Sequence, residues 1–414
     1  MAVLKRRILA GQIATLAFAQ GVAMVFPLLS TPYLVRVLGV EAFGTMMFVA
    51  VVSLYLSLIV DYGFNVSGPR DVAVLRQSPE LGGLIATTLY AKAALLGGIT
   101  LIGVGASLVP ALHTSPQLSL IVVVCLLGNV FFPGWVLQGL EMMRSLALAV
   151  ALPRLLALVA MILFVHGPSD VGRALFLLLS PTAGAAVLGW VILARRNIRP
   201  CGASLREVLL ALRTGSSAFV ASVSSGVQMH SGAIALGMVR EANDVAYFTS
   251  GTRVLAAAKS LVVPAQMALL PKIATSFRED VSASARWERI SFALLVIPHL
   301  VIGVLLFAFS ESLVVWYLGE MMRGAVPVVR WLALATVLAG IEVWAYTMLV
   351  GIGRVAPAAR VYVVAAALHL ALILPASAHW GATGAAATGV VSQAVLGGCL
   401  VGLLKRSTRP SVGS

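Results

Sequence analysis

The sequence predicts an all-α polytopic membrane protein, with about 12 transmembrane helices in two pseudo-symmetric six-helix lobes around a central cavity. Three observations predict this fold. The chain of 414 residues is 60% hydrophobic and only 11% charged, whereas soluble domains are about one quarter charged. Apolar stretches of about 20 residues, the length that crosses a bilayer as a helix, follow one another along almost the whole chain. Lys and Arg collect in every second gap between these stretches.

Each apolar stretch is long enough to cross a hydrocarbon core of about 30 Å. The predicted spans are 8–31, 44–64, 82–108, 117–139, 146–166, 171–194, 214–238, 247–270, 291–313, 326–350, 359–377 and 384–404. Lys5, Arg6 and Arg7 precede the first span. That span is too long for a signal peptide and lacks a small-x-small cleavage site, so we expect it to be retained as a membrane helix.

The distribution of basic residues predicts the orientation of the spans. One set of alternate gaps holds about twenty Lys and Arg residues, and cytoplasmic loops retain such an excess. The other set holds only Arg36, Arg173, Arg240 and Arg323. We therefore expect an even number of spans, with both termini in the cytoplasm and the protein in a bacterial inner membrane.

The longest connection, 195–214, predicts a division into an N-terminal lobe, residues 1–200, and a C-terminal lobe, residues 201–414. Within it, residues 204–213 form an amphipathic pattern, which predicts an interfacial helix that precedes the seventh span. Leu205, Val208, Leu209 and Leu212 fall on one side of this helix, and Arg206, Glu207 and Arg213 on the other.

Similar features recur in the two halves at nearly constant distance. The matched pairs are Phe43 and Tyr247, Pro69 and Pro271, Trp135 and Trp344, and Arg144 and Arg354, with offsets of 204, 202, 209 and 210 residues. Offsets this steady, near half the chain length, indicate an internal repeat. An even number of spans in each half makes the repeats parallel, related by an axis along the membrane normal.

Several function classes are excluded. A net charge of +14 spread over short loops does not make the single basic face that a nucleic-acid partner needs. Cys125, Cys201 and Cys399 lie far apart without metal-ligand spacing, so we expect free thiols and no metal or other cofactor. The chain has no Walker, Gly-x-Ser-x-Gly or HExxH motif, which argues against an enzyme.

Six ionisable side chains fall inside the predicted spans. They are Lys92, Arg154, Arg253, Lys259, Asp61 and Glu342. A charge at the centre of a membrane helix costs about 2.5–3.5 kcal/mol, so such groups face protein or a wet cavity. The four cations fit the oxygens of a pyrophosphate, and the two acids fit charge compensation or ion coupling.

Each of these charges has a structural alternative. Lys92 and the arginines could pair internally or extend to the interface. Asp61 could cap its helix or pair with Arg70. Glu342 could pair with a cation across the cavity, or exchange a proton during a transport cycle.

The seventh span carries a polar stripe formed by Ser217, Ser224, Gln228 and Ser231, which share one helix face. The stripe could bind sugar hydroxyls or tighten helix packing, since small polar residues are common at membrane helix contacts. His230, His299 and His369 stand alone in their spans without ligand spacing, so we interpret them as structural.

Four segments carry a family resemblance. They are residues 32–44 (PYLVRVLGVEAFG), residues 61–65 (DYGFN) with Arg70 beyond, residues 133–141 (PGWVLQGLE), and residues 263–271, which begin Val-Pro and end Leu-Pro. The first two resemble the amino-terminal signature of bacterial O-antigen flippases of the Wzx type. The last two are similar to the ends of that family's fourth and eighth helices.

The resemblance implies the fold of multidrug/oligosaccharidyl-lipid/polysaccharide exporters. It also implies transport of an undecaprenyl-pyrophosphate-linked oligosaccharide from the cytoplasmic to the periplasmic leaflet, with proton or sodium as coupling ion and a polysaccharide polymerase and chain-length regulator as partners. Three alternatives stay open: a cation-coupled multidrug exporter, a lipid II flippase, and a membrane polysaccharide polymerase. The basic spans disfavour the first, and the short outer loops disfavour the last.

Overall fold

A computed structural model describes residues 21, 24–107, 116–263, 265–266, 269, 272–273 and 281–408. These residues are helical with short connections, and no strand occurs among them. The helices are α1 Met24–Leu38, α2 Val40–Asp61, α3 Phe64–Leu75, α4 Leu81–Ser107, α5 Pro116–Phe131, α6 Gly134–Gly139, α7 Met143–Phe164, α8 Val171–Leu179, α9 Pro181–Ala194, α10 Leu205–Val239, α11 Ala242–Ser260, α12 Val281–Ala308, α13 Ser310–Leu318, α14 Val326–Gly351 and α15 Val355–Thr408. Short 3-10 helices precede α8 (Pro168–Asp170) and α14 (Glu320–Ala325).

The predicted membrane character is confirmed. Within the described chain, eight helical stretches are long and apolar enough to cross a membrane, and two shorter apolar helices, Met24–Leu38 and His230–Val239, accompany them. The predicted number of twelve spans stays a prediction. The beginning of the first predicted span, with its basic flank, lies outside the described residues.

The joints between helices explain several glycines. Gly39 has φ 80°, and it alone separates α1 from α2. Tyr62 (φ 49°) and Gly63 (φ 80°) both adopt left-handed backbone between α2 and α3. Gly381, at φ 58°, divides α15 into two helices, which matches the predicted gap between the eleventh and twelfth spans. Left-handed backbone is costly for residues with a Cβ, so these positions favour glycine.

The predicted interfacial helix is not a separate element. Residues 205–239 form one continuous helix, α10, so the amphipathic segment is the first part of the seventh helix. Only Gly215 and two later glycines interrupt this segment as weak helix formers, and no proline ends it. Val208 and Leu212 pack against protein while Leu205 and Leu209 are exposed, so the predicted apolar side is divided between two environments.

The chain divides into two compact units between Gly226 and Val227, inside α10. The boundary predicted near residue 200 stays a prediction about lobes. The first unit has a core cluster around Trp135, Leu137 and Ile85, and a second around Val60 and Leu126. The second unit has a larger cluster around Trp344, Met348 and Leu400.

Helix positions repeat between the two units. The helices α2 and α11 begin 202 residues apart, at Val40 and Ala242, and α4 and α12 begin 200 apart. Later elements are offset further: α7 and α15 begin at Met143 and Val355, 212 residues apart. The repeat inferred from four residue pairs therefore extends to whole helices.

Candidate functional site

Two of the segments that carry the family resemblance pack against each other. A Cβ on Gly68, in α3, would lie 2.7 Å from the ring of Trp135, in α6. A Cβ on Gly139 would lie 2.6 Å from the carbonyl oxygen of Pro69. Glycine is thus required where α3 and α6 touch, and the motif positions α3 directly after the Tyr62-Gly63 joint.

Lys92 and Asp61 form an ion pair inside the first unit. Lys92, in the middle of α4, is 1% exposed, and its Nζ lies 2.7 Å from Oδ1 of Asp61 at the end of α2. The other carboxylate oxygen accepts a hydrogen bond from the backbone N–H of Asn65 at 3.3 Å. Asp61 therefore both pairs with a cation and satisfies the start of α3, but its cation is Lys92 and not the Arg70 considered from the sequence.

Arg154 lies in α7, directly after Pro153. Its side chain is partly buried, and Nη1 donates to the carbonyl oxygen of Val150 at 2.8 Å. This is the one hydrogen bond that the structure gives for the guanidinium among the described residues. A guanidinium has five N–H donors, so most of them remain available to a ligand.

Glu342 lies at the centre of a polar cluster in the second unit. The hydroxyl of Tyr362 donates to its Oε1, and Nε2 of Gln393 donates to its Oε2 at 3.0 Å. Lys259, in α11, attracts the same carboxylate electrostatically. The cluster joins α11, α14 and both halves of α15. Its carboxylate thus has a cation partner that sequence distance does not reveal.

Arg253 lies in α11, between the start of that helix and Lys259. It interacts electrostatically with Tyr317 of α13. Both side chains are partly buried. A phenol beside a guanidinium provides one acceptor and leaves its planar fork able to bind a further oxygen ligand.

The eighth predicted span, 247–270, is interrupted at Leu261 and Val262, where the helix gives way to a turn. The stripe expected from Lys259 to Gln266 assumes an unbroken helix, so it does not hold as drawn. Nε2 of Gln266 instead donates to Oγ1 of Thr347, at 3.2 Å, on α14.

His369 bridges three helices. One ring nitrogen lies 2.9 Å from Oγ of Ser392 and the other 3.0 Å from Oγ of Ser231. The ring is buried, and its two hydrogen bonds connect α10 with both halves of α15. Ser231 is thus engaged in helix packing. The side chains of the other stripe residues, Ser217, Ser224 and Gln228, lie outside those that the structure describes.

Tyr317, Tyr362 and Gln393 were missed by the sequence reasoning. Each contacts or attracts a predicted charge from a different helix, and tyrosines are common near membrane interfaces, so the tyrosines carried no signal of their own. Gln393 did carry one. An amide in the middle of a predicted span needs a polar partner, which in this unit is Glu342.

The comparisons with known proteins come next. The profile of the family described as "Polysaccharide biosynthesis protein" matches residues 9–277, well over half of the chain. The chain belongs to this family. The earlier resemblance to polysaccharide flippases is consistent with that membership.

Two curated relatives in this family come from enteric bacteria. A protein of Escherichia coli (strain K12), provisionally named an O-antigen transporter, is 29% identical over 265 residues, which are 63% of this chain and 64% of the relative. The match thus spans slightly less than two thirds of that relative's length. A Shigella dysenteriae protein with the same name is 24% identical over 383 residues, which are 90% of this chain and 94% of the relative.

Solved structures of the MOP superfamily have the same fold. An inward-facing multidrug resistance MATE family transporter superposes with a TM-score of 0.72 at 16% identity, covering 95% of this chain and 100% of that one. The lipid II flippase MurJ in an inward closed conformation gives a TM-score of 0.72 at 11% identity, covering 94% and 87% of the two chains. The predicted all-helical exporter fold is therefore confirmed for this member of the polysaccharide biosynthesis protein family.

Proposed function

We propose that the protein is a non-enzymatic flippase. It moves an undecaprenyl-pyrophosphate-linked oligosaccharide, such as an O-antigen repeat unit, from the cytoplasmic to the periplasmic leaflet of the bacterial inner membrane by alternating access. Family membership and relatives named as O-antigen transporters support a lipid-linked polysaccharide cargo. Both termini are then cytoplasmic, and a polysaccharide polymerase with its chain-length regulator receives the product.

The observation that carries this proposal is the excess of positive charge in the membrane helices. Lys92, Arg154, Arg253 and Lys259 outnumber the two acids. A pyrophosphate needs such an excess, since its oxygens accept bidentate bonds from Arg and point-charge contacts from Lys. A cationic drug would need the opposite sign, and this favours the flippase over a multidrug exporter.

The four cations have different roles in the proposed site. Asp61 neutralises Lys92 at 2.7 Å, so Lys92 maintains the local structure and contributes to the field of the site. Arg154 retains most of its donors, so it makes the strongest direct contact with the pyrophosphate. Arg253 provides a second guanidinium in the other unit. The polar stripe Ser217, Ser224, Gln228 and Ser231 contributes hydroxyl and amide groups near the sugar.

Glu342 provides the coupling. A carboxylate that attracts Lys259 and accepts bonds from Tyr362 and Gln393 loses its charge when a proton binds. Lys259 is then released from that attraction and free to bind the pyrophosphate. Cargo binding and cation binding at Glu342 thus compete for the same lysine, which gives the reciprocal linkage that coupled transport needs. Sodium, the alternative ion, would bind the carboxylate with the same effect.

Deletion of the gene followed by location of the lipid-linked sugar tests the proposal. The oligosaccharide on its carrier is expected to accumulate on the cytoplasmic leaflet, and expression of the wild-type chain should restore surface polysaccharide. Accumulation on the periplasmic leaflet would instead identify a polymerase, and loss of drug resistance with normal polysaccharide would identify a multidrug exporter. Arrest of cell-wall synthesis with lipid II retained inside would identify a lipid II flippase.

A further inference from the structure

One side of the first four turns of α10 is used for contact with protein. Val208 is buried in a cluster with Phe64, the first residue of α3, and Leu212 packs against that cluster. Further along the same side, the ring of Phe219 stacks on Tyr62, with centroids 4.5 Å apart. The beginning of α10 is thereby fixed to the joint between α2 and α3, and its orientation about its own axis is determined.

The opposite side of α10 presents leucines and arginines together. Leu209 and Leu210 are each 59% exposed, and Leu205 is 75% exposed. Arg206 and Arg213 are exposed between them. At 100° per residue, Arg206, Leu209, Leu210 and Arg213 fall within about 100° of one another. Water alone does not suit this face, because the leucines would remain hydrated on the one side that contacts no protein.

The helix α3 has an outer face of the same composition. Val66 is 70% exposed and Val74 is 76% exposed, with exposed Arg70 midway between them at helical spacing. The other side of α3 carries buried Val72, which packs in the cluster of Trp135. Two helices that meet at one joint therefore both direct aliphatic side chains and arginines away from the protein.

We propose that these two faces form one binding surface for anionic phospholipid head groups. The surface consists of Leu205, Arg206, Leu209, Leu210 and Arg213 on α10, with Val66, Arg70 and Val74 on α3. Its leucines and valines lie among the acyl chains next to the head groups, and its arginines extend to the phosphates, as long basic side chains do at a membrane interface.

Charge complementarity favours an anionic lipid over a zwitterionic one. The surface carries three arginines and no acid. The neighbouring Glu207 is engaged in capping α10, because its Oε2 accepts bonds from the backbone N–H and the hydroxyl of Ser204 at 2.6 and 2.9 Å. A guanidinium can bind two phosphate oxygens in a fork, and an unbalanced phosphate charge strengthens that contact.

The consequence of such binding goes beyond the proposed transport of cargo. Anionic lipid on this surface fixes α3 and the base of α10 at one depth in the bilayer. These elements enclose the Tyr62-Gly63 joint, which follows Asp61 directly. Lipid composition would therefore stabilise the segment that holds the partner of Lys92, whether or not a polyprenyl cargo is present.

Membrane depth is the first test, measured on the full-length protein in nanodiscs. A nitroxide is attached through L209C after C201S and C399S remove the two exposed thiols. Oxygen and nickel-chelate accessibility should place it within the interfacial region, with a control label at exposed Arg173→Cys, on the connection before α8. A label at position 209 that is as accessible to nickel as free nitroxide in water would overturn the proposal.

Lipid selectivity is the second test. Delipidated protein is titrated with phosphatidylglycerol or phosphatidylcholine, and bound lipid is counted by native mass spectrometry. R206Q/R213Q should weaken phosphatidylglycerol binding by about fivefold per arginine, the factor that about 1 kcal/mol per basic residue represents. R206K/R213K should retain most of the binding. The control R173Q/R323Q removes the same charge elsewhere and should leave binding unchanged.

Equal affinity of the wild-type protein for the two lipids, or equal losses in R206Q/R213Q and in the control, would overturn the proposal. Raising the salt concentration to 0.5 M should reduce the preference for phosphatidylglycerol, because exposed charges are screened at that ionic strength. Neither test uses the polyprenyl cargo. Failure here therefore leaves the proposed flippase function to be judged by its own experiment.

Discussion

Asp61, the last residue of α2, holds the ammonium of Lys92 at 2.7 Å in the interior of the first unit. Lys92 has almost no contact with solvent, so its charge depends on this one carboxylate. The pair connects the end of α2 to the middle of α4 immediately before the left-handed residues Tyr62 and Gly63. Its loss should disturb the joint as well as the charge.

A double-mutant cycle should reveal strong coupling between the two residues. D61N leaves a buried ammonium without its partner and K92M leaves a carboxylate without one, and each should cost about 3–5 kcal/mol in the free energy of unfolding. D61N/K92M contains neither charge and should be more stable than either single variant. Thermal unfolding of the detergent-purified proteins measures this. Losses that simply add would show that the pair contributes no coupling energy.

Reversal of an intramembrane cation should abolish transport without removing the protein. R154E and K259E each place a negative charge where the pyrophosphate is expected, so surface polysaccharide should disappear while the protein remains in the membrane fraction. R154K retains the charge but loses the planar fork, and a partial loss is expected. The control R173E changes an exposed arginine that pairs with Asp170. Normal polysaccharide in both R154E and K259E would refute the cationic site.

Neutralisation of Glu342 should uncouple transport from the pH gradient. E342Q retains the shape of the side chain and can still bond to Gln393, but it cannot bind and release a proton. Flipping in reconstituted vesicles should then respond weakly to an imposed gradient. Y362F removes only one hydrogen bond from the cluster and should retain most of the response. An unchanged response in E342Q would eliminate the coupling role of this residue.

Gly381 should tolerate no side chain. Its φ of 58° is strained for other residues by about 1–2 kcal/mol, and a Cβ would lie 2.8 Å from both carboxylate oxygens of Asp244. Oδ1 of Asp244 accepts the backbone N–H of Ala382 at 3.0 Å and so caps the second half of α15. G381A should lower the melting temperature, whereas the control G389A, in open space within the same half, should not. Equal melting temperatures for the two variants would contradict this.

The capping box at the start of α10 should make stability depend on acid. Hydrogen bonds from the backbone N–H and hydroxyl of Ser204 hold the pKa of Glu207 below its usual value. A carboxyl whose pKa is lowered by folding stabilises the protein above its unfolded pKa, about 4.3, and the contribution is lost as pH falls through the folded value. The melting temperature of E207Q should be lower than that of the wild type at pH 7 and should approach it near pH 4. E80Q, an exposed glutamate elsewhere, is the control, and a difference independent of pH would refute the assignment.

The sequence predicted those parts of the fold that depend on period and composition. Apolar stretches and helix boundaries agree within a few residues because the bilayer sets the length of each span. Gly381 falls in the predicted gap between two spans because glycine is the residue that accepts its backbone conformation. The continuity of α10 was missed, since an amphipathic pattern states which residues are apolar and not whether the helix axis continues.

The candidate site was predictable as a set of residue types but not as a set of pairs. Lys92, Lys259, Asp61 and Glu342 stand out because a charge inside a span is costly. Their partners lie 31 residues away for Lys92 and 83 for Lys259, on other helices. Helix packing determines these pairings, and one sequence contains no direct record of it.

The single-residue turn at Gly381 has a practical consequence for experiments on topology. An unbroken helix of the 54 residues in α15 would be about 80 Å long, more than twice the thickness of the hydrocarbon core. The bond between His369 and Ser392 shows that the two halves instead lie side by side. Proteases and antibodies need several residues of extended backbone, and an epitope tag needs a loop that accepts insertion. This hairpin offers neither, so accessibility mapping of the C-terminal half should use the exposed 3-10 segment at Glu320–Ala325.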